Sequence, residues 1–207
     1  MKKFAAATGI LMLLALVVIG PPACQFFLNY NWRTVEEQAF YGSRQMGGEA
    51  LAATIDDYGI QTVVNCRGNN EGSDWYDDEV AVCERLGVEH VNFSWSKSRL
   101  PDPESLARFV ELMDAGDKPF LVHCQGGTHR TGIAAAIYRL MQGETPEQAR
   151  EEFKLGFNDA PIGELVDLYE SSDMPFRQWA VEAYPGMYEI WQQRREAEKA
   201  KEEQEAE

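Results

Sequence analysis

The chain has 207 residues, with 34 Asp and Glu against 19 Lys and Arg, which gives a formal net charge of −15 at pH 7. A surface this acidic repels a phosphate backbone, so nucleic acid is not expected as a partner. The four cysteines lie at positions 24, 66, 83 and 124 without a Cys-x-x-Cys pair or a metal-ligand spacing, so neither a metal nor another cofactor is expected.

The first 28 residues are predicted to lie outside the folded domain. Lys2 and Lys3 precede an apolar run from Phe4 to Ile19, a pattern typical of a signal peptide or a membrane anchor. Carried on to Leu28, the apolar stretch reaches about 25 residues, and a bilayer-spanning helix needs about 20. Because Pro21 occupies the place where a cleavage site needs a small residue, we favour an uncleaved anchor, with the lysines inside and the domain outside the cytoplasm. The alternative is a cleaved signal peptide and a secreted or periplasmic protein.

Residues 29–190 are predicted to form one α/β domain, since their length suffices for a single hydrophobic core. Hydrophobic periodicity and capping residues predict helices over 48–58, 73–86, 103–115, 130–142 and 145–155. Short apolar runs predict strands over 62–65, 88–93 and 120–123. This alternation predicts a central, mostly parallel sheet flanked by helices, with ligands bound at the carboxyl ends of its strands.

A phosphate-binding loop is predicted between the last of these strands and the helix that follows it. Residues 123–132 have the sequence His-Cys-Gln-Gly-Gly-Thr-His-Arg-Thr-Gly. Where a strand passes into a helix within a few residues, unpaired backbone N–H groups converge at the positive end of the helix dipole and form an anion site. Gly126 and Gly127 can take the positive φ that a tight cradle demands. The phosphate would be held by the loop residues Gln125, Gly126, Gly127, Thr128, His129 and Arg130.

Cys124 and Arg130 supply the chemistry of this loop. A free thiol has a pKa of about 8.5, and a helix N-terminus lowers it, so Cys124 is expected to be a thiolate nucleophile. The planar guanidinium of Arg130 can bind two phosphate oxygens at once. The loop is therefore predicted to cleave phosphate esters.

The end of the chain carries no predicted site. Residues 191–207 are charged and lack an apolar face, which predicts a frayed helix or a disordered tail. The aromatic residues between 153 and 191 are predicted to pack in the core rather than to bind a ligand.

The loop resembles the signature His-Cys-x5-Arg-Ser/Thr of the cysteine-dependent protein tyrosine phosphatase superfamily. The likeness extends to the dual-specificity phosphatases, and most closely to bacterial members with an N-terminal membrane segment. It covers about residues 30–160, with weaker matches at 39–45, 59–68, 75–76 and 96–99. It implies a dual-specificity-like fold and hydrolysis of phosphate monoesters, with phosphotyrosine, phosphoserine or phosphothreonine of a protein, or a small phosphomonoester, as the substrate.

The resemblance also implies a role for individual residues. Cys124 would form a phosphocysteine, Arg130 would bind the phosphate, and Thr131 would donate a hydrogen bond to the departing sulfur. His123 would support the loop from behind as a buried, hydrogen-bonded side chain. Basic residues at the rim, placed as electrostatic helpers, are Arg67, Lys97 and Arg99.

The general acid is the open position in this pattern. Related enzymes place an Asp about thirty residues before the cysteine by resemblance, where residues 92–99 contain no carboxylate. Asp102 is the nearest one, but with Pro103 after it Asp102 looks like a helix N-cap. His129 is the other candidate, since it stands where bacterial relatives often carry Asp and its ordinary pKa of about 6.5 suits acid–base work. Gln125 also departs from the pattern, because bacterial relatives often carry Lys there.

Other functions stay open from the sequence. A phosphate-binding pseudophosphatase would keep the loop but lack the acid, although the presence of both Cys124 and Arg130 argues against it. A phosphoinositide or inositol phosphate phosphatase is a further alternative, which the loss of a rim cation at Gln125 disfavours. Sulfur-transfer and arsenate-reducing enzymes also place a cysteine in an anion loop, without the His-Cys-x5-Arg-Thr-Gly pattern. In an exported domain Cys66 and Cys83 could form a disulfide.

Overall fold

The computed structural model describes residues 29–205. The predicted anchor, residues 1–28, lies outside this range. Within it, no helix combines the length and the apolar character needed to cross a membrane.

The strands form one mixed sheet. They are β1 (Arg33–Glu36), β2 (Phe40–Arg44), β3 (Thr62–Asn65), β4 (Glu89–Asn92) and β5 (Phe120–Cys124), in the spatial order β1-β2-β5-β3-β4. β1 pairs with β2 in antiparallel fashion, and the other pairings are parallel. The sequence predicted β3, β4 and β5, whereas β1 and β2 were not predicted. β5 lies at the centre, so the strand that leads into the predicted loop is supported on both sides.

The helices cover both faces of this sheet. They are α1 (Gly48–Tyr58), α2 (Asp74–Leu86), α3 (Pro103–Ala115), α4 (His129–Met141), α5 (Pro146–Arg150), α6 (Glu164–Glu170), α7 (Phe176–Glu182) and α8 (Tyr184–Glu205). Successive strand residues point to opposite faces. Val63 and Leu121 accordingly pack with α1 and α2, whereas Val64 and Val122 pack with α3, α4 and the C-terminal helices. This is an α/β domain with two apolar layers.

Several helix ends follow the predicted capping chemistry. Gly59 and Gly87 end α1 and α2 with φ of 64° and 69°, the left-handed conformation that glycine adopts at little cost. Asp102 caps α3, since its carboxylate accepts the Ser105 N–H at 2.9 Å. Thr145 and Gln148 form the predicted capping box at the start of α5.

The helix that starts at this capping box, α5, is shorter than predicted: it ends at Arg150 and not near Leu155. Beyond it the carbonyl of Glu152 accepts a hydrogen bond from Arg33 Nη1 at 2.8 Å, and its carboxylate lies 3.1 Å from the same nitrogen. Arg139 Nε donates to the other carboxylate oxygen at 2.9 Å. After α5 the N–H groups of residues 151–153 bond to carbonyls three positions earlier, and Glu152 is held by Arg33, 119 positions before it.

The C-terminal segment is helical, and α8 includes most of the predicted tail. Tyr184 and Trp191 are buried, and Trp191 Nε1 donates to Glu164 at 3.0 Å. Farther along, the helix is exposed and carries i,i+4 ion pairs such as Lys199 with Glu203. The predicted domain boundary at residue 190 therefore lies within α8. As predicted, aromatic residues of this region, among them Phe176 and Trp179, are part of the core.

Candidate active site

The loop from Cys124 to Arg130 begins at the carboxyl end of β5 and leads into α4. Gly127 has a φ of +66°, and a Cβ there would lie 2.5 Å from the backbone nitrogen of Arg44. Both the conformation and the close approach to β2 therefore require glycine. Gly126, in contrast, does not take a positive φ, and a Cβ there would meet nothing closer than 4.0 Å. Of the two glycines that could take a positive φ in this loop, only Gly127 does so.

An open cavity of about 620 Å³ lies over the loop. Most of the loop faces it, together with part of the segment between β4 and α3. Its lining consists of Trp95, Ser96, Lys97, Cys124, Gln125, Gly126, Thr128, His129 and Arg130. Cys124 is 3% exposed, so its sulfur lies at the base of the cavity.

The groups around Cys124 favour its thiolate. Burial by itself raises the pKa of this thiol, but the Thr131 hydroxyl and N–H, the charge of Arg130 and the Gly127 N–H all lower it. The net pKa of Cys124 lies below its ordinary value. A buried thiol among apolar groups alone would shift the other way, so the loop donors and Arg130 overcome the desolvation.

Arg130 and Thr131 occupy the first turn of α4, next to the sulfur. Arg130 Nη1 donates to the carbonyls of Cys66 at 3.3 Å and Trp95 at 3.4 Å, which hold the guanidinium at the cavity. The Thr131 hydroxyl lies 3.2 Å from the Ser43 carbonyl and also within hydrogen-bond reach of Cys124. Because a hydroxyl has a single proton, it donates to one of these acceptors at a time.

His123 is buried behind the loop, as predicted, and its partner is a carboxylate that sequence reasoning missed. His123 Nε2 lies 3.1 Å from Glu79 Oε1, and His90 Nε2 lies 2.8 Å from the same oxygen. Glu79 Oε2 accepts a hydrogen bond from Gln45. Burial raises the pKa of Glu79, but bonds from His123, His90 and Gln45 outweigh it and lower that pKa to about 2.

A pattern in α2 could have revealed Glu79. Tyr76, Val82 and Cys83 are buried along one face of this helix, and Glu79 lies on the same face at i+3 from Tyr76. A carboxylate on an apolar face needs partners, because an unpaired buried charge is costly. The pattern would have pointed to a buried acid without identifying the two histidines.

The three basic residues predicted at the rim are placed differently. Lys97 lines the cavity. The Arg67 guanidinium lies 3.5 Å from the centre of the Trp75 ring and donates to Gln45 Oε1 at 3.1 Å. Burial and the neighbouring charge of Arg130 lower the pKa of Arg67, and the charges of Glu79 and Cys124 raise it. Arg99 is not among the lining residues, and its charge acts instead on Tyr188 of α8.

The two candidate acids also differ in position. His129 lines the cavity, and its ring centre lies 5.4 Å from that of Phe157. Burial lowers the pKa of His129, and the charges of Lys97 and Arg130 lower it further, against hydrogen bonds that raise it. Asp102 caps α3 and is absent from the lining. No carboxylate is found among the lining residues in the part of the chain that the structure describes.

Cys66 and Cys83 do not form the disulfide considered from the sequence, since both are free and buried. Cys66 packs in the layer of α3 and α4, whereas Cys83 packs between the sheet and α1, so the sheet separates them. Within residues 29–205, no group of three or more His, Cys, Asp and Glu side chains is placed to hold a metal ion.

A reactive-cysteine loop that ends in Arg-Thr, set between the central strand of an α/β sheet and a helix, is the arrangement of the cysteine-dependent protein tyrosine phosphatase superfamily. The family comparison agrees. Residues 29–163 match the family described as DSP-PTPase phosphatase fused to NAD+ kinase, and the chain belongs to this family.

Individual relatives match over a shorter range. The dual specificity protein phosphatase TpbA of Pseudomonas aeruginosa strain UCBPP-PA14 is 35% identical over 82 residues, which cover 39% of this chain and 38% of that protein. The chain thus spans well under half the length of the curated TpbA relatives it matches. A rat receptor-type tyrosine-protein phosphatase V is 35% identical over 74 residues, 32% of this chain and 4% of that protein.

Solved structures share the fold. The crystal structure of P. aeruginosa TpbA has a TM-score of 0.56 at 21% identity and covers 75% of this chain and 93% of that one. The catalytic core of Siw14 has a TM-score of 0.56 at 17% identity and covers 72% of this chain and 89% of that one. At these identities the likeness supports the dual-specificity-like α/β fold.

Proposed function

We propose that this protein is a cysteine-dependent phosphatase that hydrolyses phosphate monoesters through a phosphocysteine on Cys124. The observation that carries the proposal is the buried Cys124 thiol, whose pKa is lowered by the same donors and the same Arg130 that would hold a phosphate. A thiolate beneath an anion-binding loop suits this reaction, because the loop brings the electrophilic phosphorus to the nucleophile.

The reaction would proceed in two displacements. The Cys124 thiolate attacks phosphorus, the bond to the ester oxygen breaks, and that oxygen takes up a proton as it leaves. Water then attacks the phosphocysteine, which releases inorganic phosphate and restores the thiolate. Arg130 and the loop N–H groups stabilise the charge on the equatorial oxygens in both steps. The Thr131 hydroxyl donates to the sulfur when it leaves in the second step.

His129 and Asp102 remain the two candidate acids for the first step. His129 is favoured by its position on the cavity, whereas Asp102 would have to leave its capping bond to Ser105. A neutral His129 at physiological pH would give slow turnover of alkyl phosphates. Aryl phosphates are better substrates in that case, because their leaving oxygens need little protonation.

The substrate class rests on the relatives and on the rim. TpbA is named a dual specificity protein phosphatase, and a TpbA variant has been crystallised with pTyr. We infer that this chain acts on phosphotyrosine, and on phosphoserine or phosphothreonine, of a protein. Siw14 is described as a PP-IP phosphatase, which keeps an inositol phosphate as the second candidate. Against it, Gln125 contributes no charge to the rim of a protein with a net charge of −15.

A phosphate-binding pseudophosphatase is the other candidate function. The observation in its favour is the lining of the cavity, which contains no carboxylate over residues 29–205. Such a protein would hold phosphorylated ligands in the loop and turn them over poorly.

We further propose that residues 1–28 anchor the protein in a bacterial membrane, with the catalytic domain outside the cytoplasm. The support is the pattern of Lys2 and Lys3 before a long apolar run. A cleaved signal peptide is the alternative. Mass spectrometry of the protein from membrane and soluble fractions would distinguish them, because cleavage removes the first residues.

The decisive experiment is hydrolysis of p-nitrophenyl phosphate by the full chain in mild detergent, with EDTA and a reductant. The matched variant is Cys124→Ser, and Arg130→Lys tests the bidentate phosphate contact. Turnover that persists with EDTA, disappears in Cys124→Ser and nearly disappears in Arg130→Lys supports the phosphatase. Undiminished turnover in Cys124→Ser overturns the mechanism. Absent turnover with retained vanadate binding favours the pseudophosphatase.

A further inference from the structure

Two carbonyl groups of the loop accept hydrogen bonds from one segment at the start of the domain. Asn31 Nδ2 donates to the Gly126 carbonyl at 2.9 Å, and Arg33 Nη2 donates to the Gly127 carbonyl at 2.6 Å. Asn31 also donates to the Thr128 hydroxyl at 3.3 Å. Both side chains are buried, at 8% and 3% exposure, so these bonds are sheltered from water.

The direction of these carbonyls decides what the loop can bind. In a planar trans peptide the C=O and the N–H of the next residue point in opposite directions. Fixing the Gly126 carbonyl therefore fixes the Gly127 N–H, and fixing the Gly127 carbonyl fixes the Thr128 N–H. The Gly127 N–H is a donor to the Cys124 sulfur, and Thr128 lines the cavity. A flip of either peptide would replace a donor by a carbonyl oxygen, which repels an anion.

The sheet leaves room for Arg33 to reach the loop. Arg33 pairs with Gly42 across β1 and β2. A Cβ on Gly42 would lie 2.7 Å from Arg33 Cγ and 2.9 Å from Thr131 Cγ2. Only glycine at this position leaves space for the aliphatic part of the Arg33 side chain. Glu152 balances the buried charge through a contact of 3.1 Å.

The backbone conformation at position 31 also favours asparagine. Its φ is 49°, in the left-handed region that Asn tolerates better than most residues. The conformation turns the chain so that the side-chain amide reaches the loop ahead of β1. The contact joins residues 95 positions apart.

We propose that Asn31 and Arg33 are positioning residues of the phosphate loop, which hold the Gly126–Gly127 and Gly127–Thr128 peptides with their N–H groups toward the anion. The role rests on the proposed function, since it assigns these residues to the same phosphate site. Neither side chain lines the cavity, so they act through the loop and not on the substrate.

The test measures Cys124 and the anion site directly, in the full chain. Asn31→Gly removes the amide but keeps a residue that accepts the positive φ. The matched control is Gln38→Gly, because Gln38 has a φ of 60° in the exposed turn between β1 and β2. Alkylation of Cys124 by iodoacetamide as a function of pH gives its pKa, and calorimetry gives the Kd of inorganic phosphate.

In Asn31→Gly we expect the Cys124 pKa to rise by about one unit, which lowers the thiolate fraction about tenfold at pH values well below it. The Kd for phosphate should rise about fivefold, which means weaker binding. Arg33→Lys keeps the charge but loses the planar guanidinium with its two Nη donors. It should therefore raise the Cys124 pKa and the phosphate Kd as well. Gln38→Gly should leave both unchanged.

Asn31→Asp serves as a second variant that keeps the size and the backbone preference but cannot donate in its ionised form. Thermal melts identify which variants are folded. If the folded Asn31 variants keep the pKa and the phosphate affinity of the Gln38→Gly control, the positioning role is overturned. Neither readout needs turnover, so a chain that hydrolyses no ester but shows these shifts refutes the phosphatase and retains the positioning role.

Discussion

Glu79 Oε1 lies 3.1 Å from Nε2 of His123, the residue that immediately precedes the cysteine. A carboxylate oxygen accepts, so Nε2 of His123 is the donor in this contact. His123 Nδ1 has no hydrogen-bond partner in the described part of the chain. α2 therefore fixes the orientation of a side chain in the central strand, just where β5 gives way to the loop. Because Glu79 is 2% exposed, its charge depends entirely on these internal donors.

The first prediction concerns the pH dependence of stability. The pKa of Glu79 is about 2 in the folded protein, below its unfolded value of about 4.3. Ionised Glu79 therefore contributes to the free energy of unfolding above about pH 4.3, and this contribution is lost as the pH falls toward 2. A pKa depression of this size corresponds to a stabilisation of the folded state on the order of 3 kcal/mol. Urea unfolding between pH 7 and 3 should show a smaller loss of stability in Glu79→Gln than in the wild type. The exposed Asp56→Asn is the control, and equal pH slopes in all three proteins would contradict the prediction.

The second prediction uses the two adjacent glycines of the loop. Gly127→Ala combines a disfavoured φ with a Cβ 2.5 Å from the Arg44 nitrogen, whereas Gly126→Ala meets open space. Strain of this kind costs about 1–3 kcal/mol, before any displacement of β2. We expect Gly127→Ala to lose phosphate binding and p-nitrophenyl phosphate hydrolysis, and Gly126→Ala to keep most of both. Similar losses in the two variants would contradict this difference between Gly126 and Gly127.

The third prediction separates the cysteines by reactivity. Burial raises the pKa of Cys66 and, with the charge of Glu79, raises that of Cys83 to about 12, whereas the pKa of Cys124 is lowered. Brief iodoacetamide treatment at pH 6.5, followed by peptide mass spectrometry, should label Cys124 and leave Cys66 and Cys83 unmodified. Labelling of Cys66 at a comparable rate would show that the protein exposes the segment after β3 in solution.

Thr131 gives the fourth prediction. Its hydroxyl is shared between the Ser43 carbonyl and the Cys124 sulfur, and the latter contact matters when the sulfur leaves the phosphocysteine. Thr131→Val removes the hydroxyl at nearly constant shape and should raise the Cys124 pKa and slow the second step by about tenfold or more. Rapid-mixing kinetics should then show a burst of nitrophenol that the wild type lacks. Thr131→Ser should restore the wild-type behaviour, and a Val variant with normal pKa and no burst would exclude this role.

The sequence was informative where the determinants are local. Strand β5, the loop and helix α4 follow from consecutive residues, and the ends of α1, α2 and α3 follow from Gly59, Gly87 and Asp102. The supports of the loop are not local. Asn31 and Arg33 contact it across 95 and 94 positions, and Glu79 contacts His123, just before it, across 44, so a single sequence without pairing information does not reveal them. The segment just after α5 makes a contact of the same kind, since the Glu152 carbonyl accepts a hydrogen bond from Arg33, 119 positions earlier.

The last prediction distinguishes the two candidate acids. Asn is as good an N-cap as Asp, so Asp102→Asn keeps the bond to Ser105 and removes only the acid. We expect Asp102→Asn to keep the wild-type stability and pH–rate profile, while Asp102→Ala loses about 1 kcal/mol of stability through the cap.

If His129 is the acid, its protonated form is required and its pKa lies below its ordinary value. Activity should then fall as the pH rises through a value below 6.5, and His129→Asn should flatten this limb and slow alkyl phosphates more than aryl ones. A limb that survives in His129→Asn and disappears in Asp102→Asn would instead make Asp102 the donor, and would require the segment between β4 and α3 to move over the cavity during turnover.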